Sequence, residues 1–129
     1  MMPLTDRELD VMAVLWDRGA ATVADVRDQL ADDLAYTTVL TVLRTLEAKG
    51  HVGHEVEGRA HLYFPRTVRR DAARQTVDHL IDKVFQGSAD LLFARVLSDR
   101  QLSAEQLRRI RDDIDRRLGD HLERRLGKS

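Results

Sequence analysis

Thr37, Thr38, Thr41 and Thr45 fall within nine residues, and Arg44 stands beside the last of them. Val39, Val42, Leu43 and Leu46 recur at helical spacing around them and predict a helix over 36–49, closed by Gly50. The face opposite that apolar stripe carries Thr37, Leu40, Thr41, Arg44, Thr45 and Ala48, none of them acidic. Threonine is a mediocre helix former, so a merely solvated face is a poor account of four of them. Their hydroxyls suit base edges or phosphates, and their methyls suit the thymine methyl. Arg44 can bond guanine bidentately or grip a phosphate. Leu40, unexpected toward solvent, suits an apolar contact with thymine. The pattern points to a helix that reads DNA.

The segment after this helix changes period. Val52 to Val56 and Leu62 to Phe64 are short extended runs around Glu57-Gly58-Arg59-Ala60, which predicts a hairpin. Arg59 at its tip is a candidate for phosphate or the minor groove, and His61 stands near it. Arg66, Arg69 and Arg70 follow, to add phosphate contacts or to face solvent. His51, His54 and His61 gather near the hairpin, and a zinc or copper site there is conceivable. Three partly exposed histidines beside nucleic acid is the simpler reading, so neither metal nor cofactor is expected. There is no phosphate loop or nucleophile elbow, and no cysteine for a thiolate ligand or nucleophile. An enzyme is not expected.

The elements that must position these residues are legible on both sides. Thr5 with Glu8 reads as a capping box opening a first helix, with Leu4 and Leu9 as a hydrophobic staple. Leu9, Met12, Ala13 and Trp16 form its stripe, and Gly19 ends it. Thr22, with Asp25 in the first turn, opens a short second helix carrying Val23, Val26 and Leu30. Helix, helix, helix, hairpin is the order of a winged helix, in which the third helix enters the major groove. After Pro65 the chain reads as all helical. Val77, Leu80, Ile81, Val84 and Phe85 recur at helical spacing up to Gly87, and Leu91, Leu92, Val96 and Leu97 follow. Ser103 with Gln106 caps a last helix striped by Leu107, Ile110, Ile114, Leu118, Leu122 and Leu126. A chain of 129 residues is too small to bury such a stripe alone, so this part is expected to dimerise. The expected fold is mainly α with a small β-hairpin: a winged-helix DNA-binding domain over 1–66 and a helical dimerisation domain over 67–129. Val77, Leu80, Ile81, Val84, Leu107, Ile110, Ile114 and Leu118 are the candidate dimer contacts.

Composition narrows the class. Hydrophobic residues at 43% and charged residues at 33% describe a globular chain. Aromatics at 5% argue against a single-strand binder that stacks bases. The opening MMPLTDRELD is neither a signal peptide nor a membrane span, so a cytoplasmic protein with no membrane insertion is expected. The net charge of −1 hides an asymmetry. Residues 1–65 hold 6 Lys/Arg against 11 Asp/Glu, and 66–129 hold 15 against 11. An acidic DNA-binding half is awkward, because phosphate neutralisation supplies much of the affinity. The acids crowd the first two helices, whereas Arg44, Lys49, Arg59, Arg66, Arg69 and Arg70 cluster from helix three onward, and local field outweighs the sum.

The segments LTDRELDVMAVLW, DLAYTTVLTVLRTLEAKGHV and RAHLYFP resemble the BlaI/MecI/CopY family of transcriptional repressors, and the likeness extends through KVFQGS over nearly the whole chain. The resemblance implies an N-terminal winged helix that binds inverted repeats and C-terminal helices that form a homodimer. It also implies repression of genes such as those for β-lactam resistance or copper homeostasis. It supports Thr37, Thr38, Thr41, Arg44 and Thr45 as DNA-facing, with Arg59 in the wing; helical geometry leaves Thr38 at the flank, to cap or touch phosphate. In one branch a membrane sensor-protease pathway cleaves an Asn–Phe bond in the dimerisation part. Arg95-Val96 stands at the corresponding place, which marks the region of regulatory cleavage but departs from that bond. The copper branch binds metal through C-terminal cysteines, and this chain has none. The expected function is therefore sequence-specific repression by a homodimer on a palindromic DNA operator. The alternatives are a winged helix that binds protein instead of DNA, as the acidic first half allows, and a metal- or ligand-responsive regulator.

Overall fold

The computed structural model describes residues 3–127. Three helices come first: α1 (Asp6–Arg18), α2 (Val23–Gln29) and α3 (Tyr36–Ala48). A two-stranded antiparallel hairpin of β1 (Val52–Glu57) and β2 (Ala60–Pro65) follows, and then α4 (Arg69–Val84), α5 (Ala89–Asp99) and α6 (Ala104–Gly127). This is the mainly helical, winged-helix architecture expected from the periodicity.

Local chemistry starts the helices where the side chains allow it. Thr5 Oγ1 accepts from the Glu8 N–H while Glu8 Oε1 accepts from the Thr5 N–H, at 3.2 and 2.8 Å. Thr22 and Asp25 repeat the arrangement at α2, and Ser103 and Gln106 repeat it at α6. α3 has no side-chain cap at Ala35. Its other end closes on Gly50, whose φ of 86° lets the chain reverse. The His51 N–H reaches back to the Leu46 carbonyl at 2.9 Å and the Gly50 N–H to Glu47 at 3.0 Å. That reversal carries His51 into the interior.

The core of the first three helices and the hairpin holds Val11, Met12 and Leu15 of α1, Val26 of α2, Val39, Leu43 and Leu46 of α3, Val52 and Tyr63. The α1 stripe differs from the one expected. Val11, Met12 and Leu15 face the core with Glu8, whereas Leu9, Ala13 and Trp16 lie at its margin. Trp16 sits there because its indole N–H has a polar partner to reach, the Thr67 carbonyl at 2.8 Å. Ala21 extends the hairpin by an isolated bridge to Tyr63, with paired N–H to carbonyl bonds of 2.9 and 2.8 Å. The wing is thereby tied to the α1–α2 connection.

Among the described residues Glu8 is the one buried carboxylate. Lys49 Nζ lies 2.8 and 2.9 Å from its two oxygens. Burial pushes the Glu8 carboxyl up, but the Lys49 ammonium and the Thr5 N–H outweigh it and hold it below the ordinary carboxylate value.

The chain divides into two compact units, Met1–Gln86 and Gly87–Ser129. The first carries α4, which the sequence reading groups with the C-terminal helices. α4 is fastened by Ala72, which is buried, and by Arg69, which pairs with Asp17 at 3.0 Å and lies over the Trp16 ring at 5.3 Å. The second unit holds α5 and α6. None of its described residues is buried, and Leu107, Ile114, Leu118 and Leu122 lie open on α6.

Among the described residues no helix is long and apolar enough to cross a membrane.

Candidate nucleic-acid interface

The exposed face of α3 and the inner side of the wing enclose a cleft of about 390 Å³. Tyr36, Leu40 and Arg44 line it from α3, Arg59, Ala60 and His61 from the wing, and Thr22, Val23 and Ala24 from the start of α2. Three expected residues, Leu40, Arg44 and Arg59, are thus brought together from two elements. Leu40 is only half exposed, packing against the core margin with one side and lining the cleft with the other. Its place on the polar face has a packing reason as well as a recognition one.

The wing geometry follows from its turn. The strands pair Glu57 with Ala60, so Gly58 and Arg59 alone make the loop. Gly58 supplies the positive φ of 63° that a two-residue hairpin needs. The strands run one or two residues further toward the turn than the apolar pattern indicated. The tightness of the turn puts Arg59 at the very tip of the wing.

The threonines stay on the exposed surface of α3, outside the lining of the cleft. Thr41 Oγ1 donates to the Thr37 carbonyl at 2.9 Å, and Thr45 Oγ1 donates to the Thr41 carbonyl at 3.0 Å. Both hydroxyl protons are therefore committed to the helix backbone. What these two residues offer outward is a methyl group and an accepting oxygen. Thr37 and Thr38 in the first turn are exposed.

Charge pairing separates the basic residues. Lys49, grouped with the DNA-facing cations from sequence, turns inward to Glu8. Arg69 is taken by Asp17, and Arg66 lies over the Phe64 ring at 5.9 Å. Among the described residues neither Arg44 nor Arg59 has a carboxylate within ion-pair distance, whereas Arg7, Arg18 and Arg27 all do. The acids of α1 and α2 are thus partly neutralised by their own arginines, and the cations of the cleft are left for a ligand.

The three histidines near the wing are not brought together. His51 is fully buried, its Nδ1 2.8 Å from Thr67 Oγ1 and its Nε2 without a partner among the described residues. His54 and His61 stack on each other with ring centroids 5.0 Å apart. Among the described residues no group of three His, Cys, Asp or Glu side chains is arranged to hold a metal ion. Sequence reasoning did not select Tyr36 or Thr22. Tyr36 opens α3 at the edge of the cleft, and its signal was its place one residue before the threonine run.

The sequence profile of the penicillinase repressor family matches residues 4–116, a span that includes α3, the wing and most of α6. The chain belongs to the penicillinase repressor family. It is 26% identical over 106 residues to the penicillinase repressor of Bacillus licheniformis, covering 81% of this chain and 83% of that protein. A transcriptional regulator BlaI of Mycobacterium tuberculosis is 46% identical over 65 residues, 48% of this chain and 47% of that one. The solution structure of the DNA binding domain of the repressor BlaI is also similar, at 31% identity and a TM-score of 0.48, over 53% of this chain and 85% of that one. Penicillinase repressor family members are DNA-binding transcriptional repressors.

In this family member Arg95 and Val96 lie inside α5. Arg95 pairs with Asp99 at 3.3 Å, and the Val96 carbonyl accepts from the Arg100 N–H at 3.2 Å.

Proposed function

We propose that this chain is a repressor that binds a two-fold symmetric DNA operator as a homodimer, with DNA binding carried by residues 1–66 and dimerisation by 67–129. The observation that carries the reading is the cleft in which Arg44 and Arg59, both without a carboxylate partner among the described residues, converge with Leu40. α3 supplies base contacts through Thr37, Thr41, Arg44 and Thr45, with Thr38 at its flank. Arg59 grips the backbone or the minor groove. A single short recognition helix binds weakly, and two copies related by a dyad double the contact. The open apolar residues of α4 and α6 favour that pairing. Val77, Leu80 and Val84 are exposed on α4, and Leu107, Ile114 and Leu118 on α6, with Ile81 and Ile110 half-buried. Leaving so much apolar surface in water is costly for a small chain. We place this repressor in the cytoplasm with its DNA.

If a membrane sensor-protease pathway releases it, the Arg95–Val96 bond must first leave the helix, because proteases prefer exposed, extended segments.

The test is selection of bound duplexes from a random DNA library at near-physiological salt. A two-fold symmetric motif is the expected result. Failure to enrich any duplex would overturn the proposal and leave a protein-binding winged helix as the better reading.

A further inference from the structure

His54 and His61 are diagonal neighbours on one face of the wing, since His54 pairs across the hairpin with Tyr63 and Val56 with His61. Their rings are nearly parallel, 10° apart in plane. His54 Nδ1 lies 2.6 Å from Glu47 Oε2, near the end of α3. A continuous line of groups therefore runs from Glu47 through His54 to His61, and His61 opens into the cleft beside Arg44 and Arg59.

The elements packed around His61 bring charged or titratable groups. α3 contributes Arg44, Glu47 and the phenol of Tyr36. β1 contributes His54, with Glu55 and Glu57 on its opposite face by strand alternation; the turn contributes Arg59, and β2 contributes the phenol of Tyr63. The start of α2 lines the cleft with no charged side chain. The carboxylate is engaged by His54, which leaves two guanidinium groups as the charges sharing the cleft with His61. A phosphate seated between them favours protonation of the neighbouring imidazole, because an anion stabilises the charged ring. Histidine is the side chain whose charge changes in the physiological pH range. The His61 ring stacks on His54, which is itself held by Glu47.

Resting on the DNA-binding reading above, we propose that His61 is a third backbone anchor of the interface and takes up a proton when a DNA phosphate enters the cleft beside Arg44 and Arg59. Operator binding is then coupled to proton uptake, and affinity rises as pH falls. Arg44 and Arg59 bind at any pH, whereas His61 makes the grip adjustable.

The experiment is titration of the selected operator duplex at constant ionic strength between pH 6 and pH 8, with wild type, His61→Gln and His61→Arg, each confirmed folded by circular dichroism at both ends of the range. Wild type is expected to bind several-fold more tightly at pH 6 than at pH 8, bounded by about tenfold per pH unit for one linked proton. His61→Gln is expected to bind with the weaker affinity at both pH values. His61→Arg is expected to bind with a flat profile near the wild-type affinity at pH 6. A flat wild-type profile, or a His61→Gln variant that keeps the slope, would overturn the inference while leaving DNA binding intact. Absence of binding to any duplex at either pH would overturn both.

Discussion

The indole N–H of Trp16 donates to the carbonyl of Thr67, 51 residues further along the chain and 2.8 Å away. The same Thr67 turns its hydroxyl to His51 Nδ1, and its N–H, with that of Arg66, bonds the His51 carbonyl at 3.2 and 2.8 Å. Residues from α1 and from the end of α3 thus hold the segment that leads from the wing into α4. This knot sets where α4 begins within the first unit.

Trp16→Phe removes the donor, leaves the Thr67 carbonyl unsatisfied in a partly buried place and weakens the stack under Arg69. A loss of about 1–2 kcal/mol is expected for one such hydrogen bond. Urea denaturation followed by circular dichroism measures it. An unchanged midpoint would show that the bond contributes nothing net.

His51 gives the stability a pH dependence. Burial pushes the ring below its ordinary value of 6.5; Glu8 opposes the shift and Lys49 adds to it. Below that ordinary value the unfolded chain binds a proton that the folded chain resists. The His51 contribution is therefore fully present above about pH 7 and is lost as pH falls toward the lowered folded value. Glu8 loses its own contribution only further into the acid range, below the ordinary carboxylate value of 4.5. Denaturation of wild type and His51→Gln from pH 7.5 to 5.5 separates the two. The wild type should weaken across that range and the variant should weaken less; equal slopes would refute the assignment.

Arg44→Ala and Thr41→Ala should weaken operator binding while the oligomeric state and the fold persist. For Arg44 bonded to a base the expected cost is about 1–3 kcal/mol, with relaxed specificity at one position. Arg59→Ala should instead weaken binding to all sequences alike and reduce the salt slope by about one. Binding isotherms at three salt concentrations distinguish the cases. Wild-type binding by both α3 variants would exclude α3 as the reader.

Ile114→Asp puts a carboxylate on the open stripe of α6, where Ile114 is 54% exposed in the single chain. In a dimer that buries this stripe, an unpaired charge costs several kcal/mol. Sedimentation should then find a monomer or an unfolded chain. A folded dimer would place the interface elsewhere.

What the sequence disclosed depended on range. The capping pairs Thr5–Glu8, Thr22–Asp25 and Ser103–Gln106 are three residues apart and could be read directly, and the period change after Gly50 announced the wing. The α1 stripe was read about one residue out of phase, because Trp16 looked like core and instead serves a carbonyl 51 residues away. Glu8 looked like a cap alone; its second role, receiving Lys49, spans 41 residues and has no local signal. Removing Lys49 from the free cations was invisible for the same reason. Among the candidate site residues, Leu40 was legible as a break in a polar face and Arg44 as a cation that could bond guanine or phosphate. The stack of His54 on His61 needed the register of the hairpin, which only the two-residue turn fixes.

Thr41 and Thr45 spend their hydroxyl protons on the backbone of α3. If α3 reads the major groove as proposed, a face that presents methyl groups and a leucine beside Arg44 senses bumps as well as donors and acceptors. The bump on a base pair is the 5-methyl group. For such a reader, uracil in place of thymine is a lesion and 5-methylcytosine a counterfeit. Chemical marking of the operator, with no change in its base pairing, would then alter how firmly the gene is held shut.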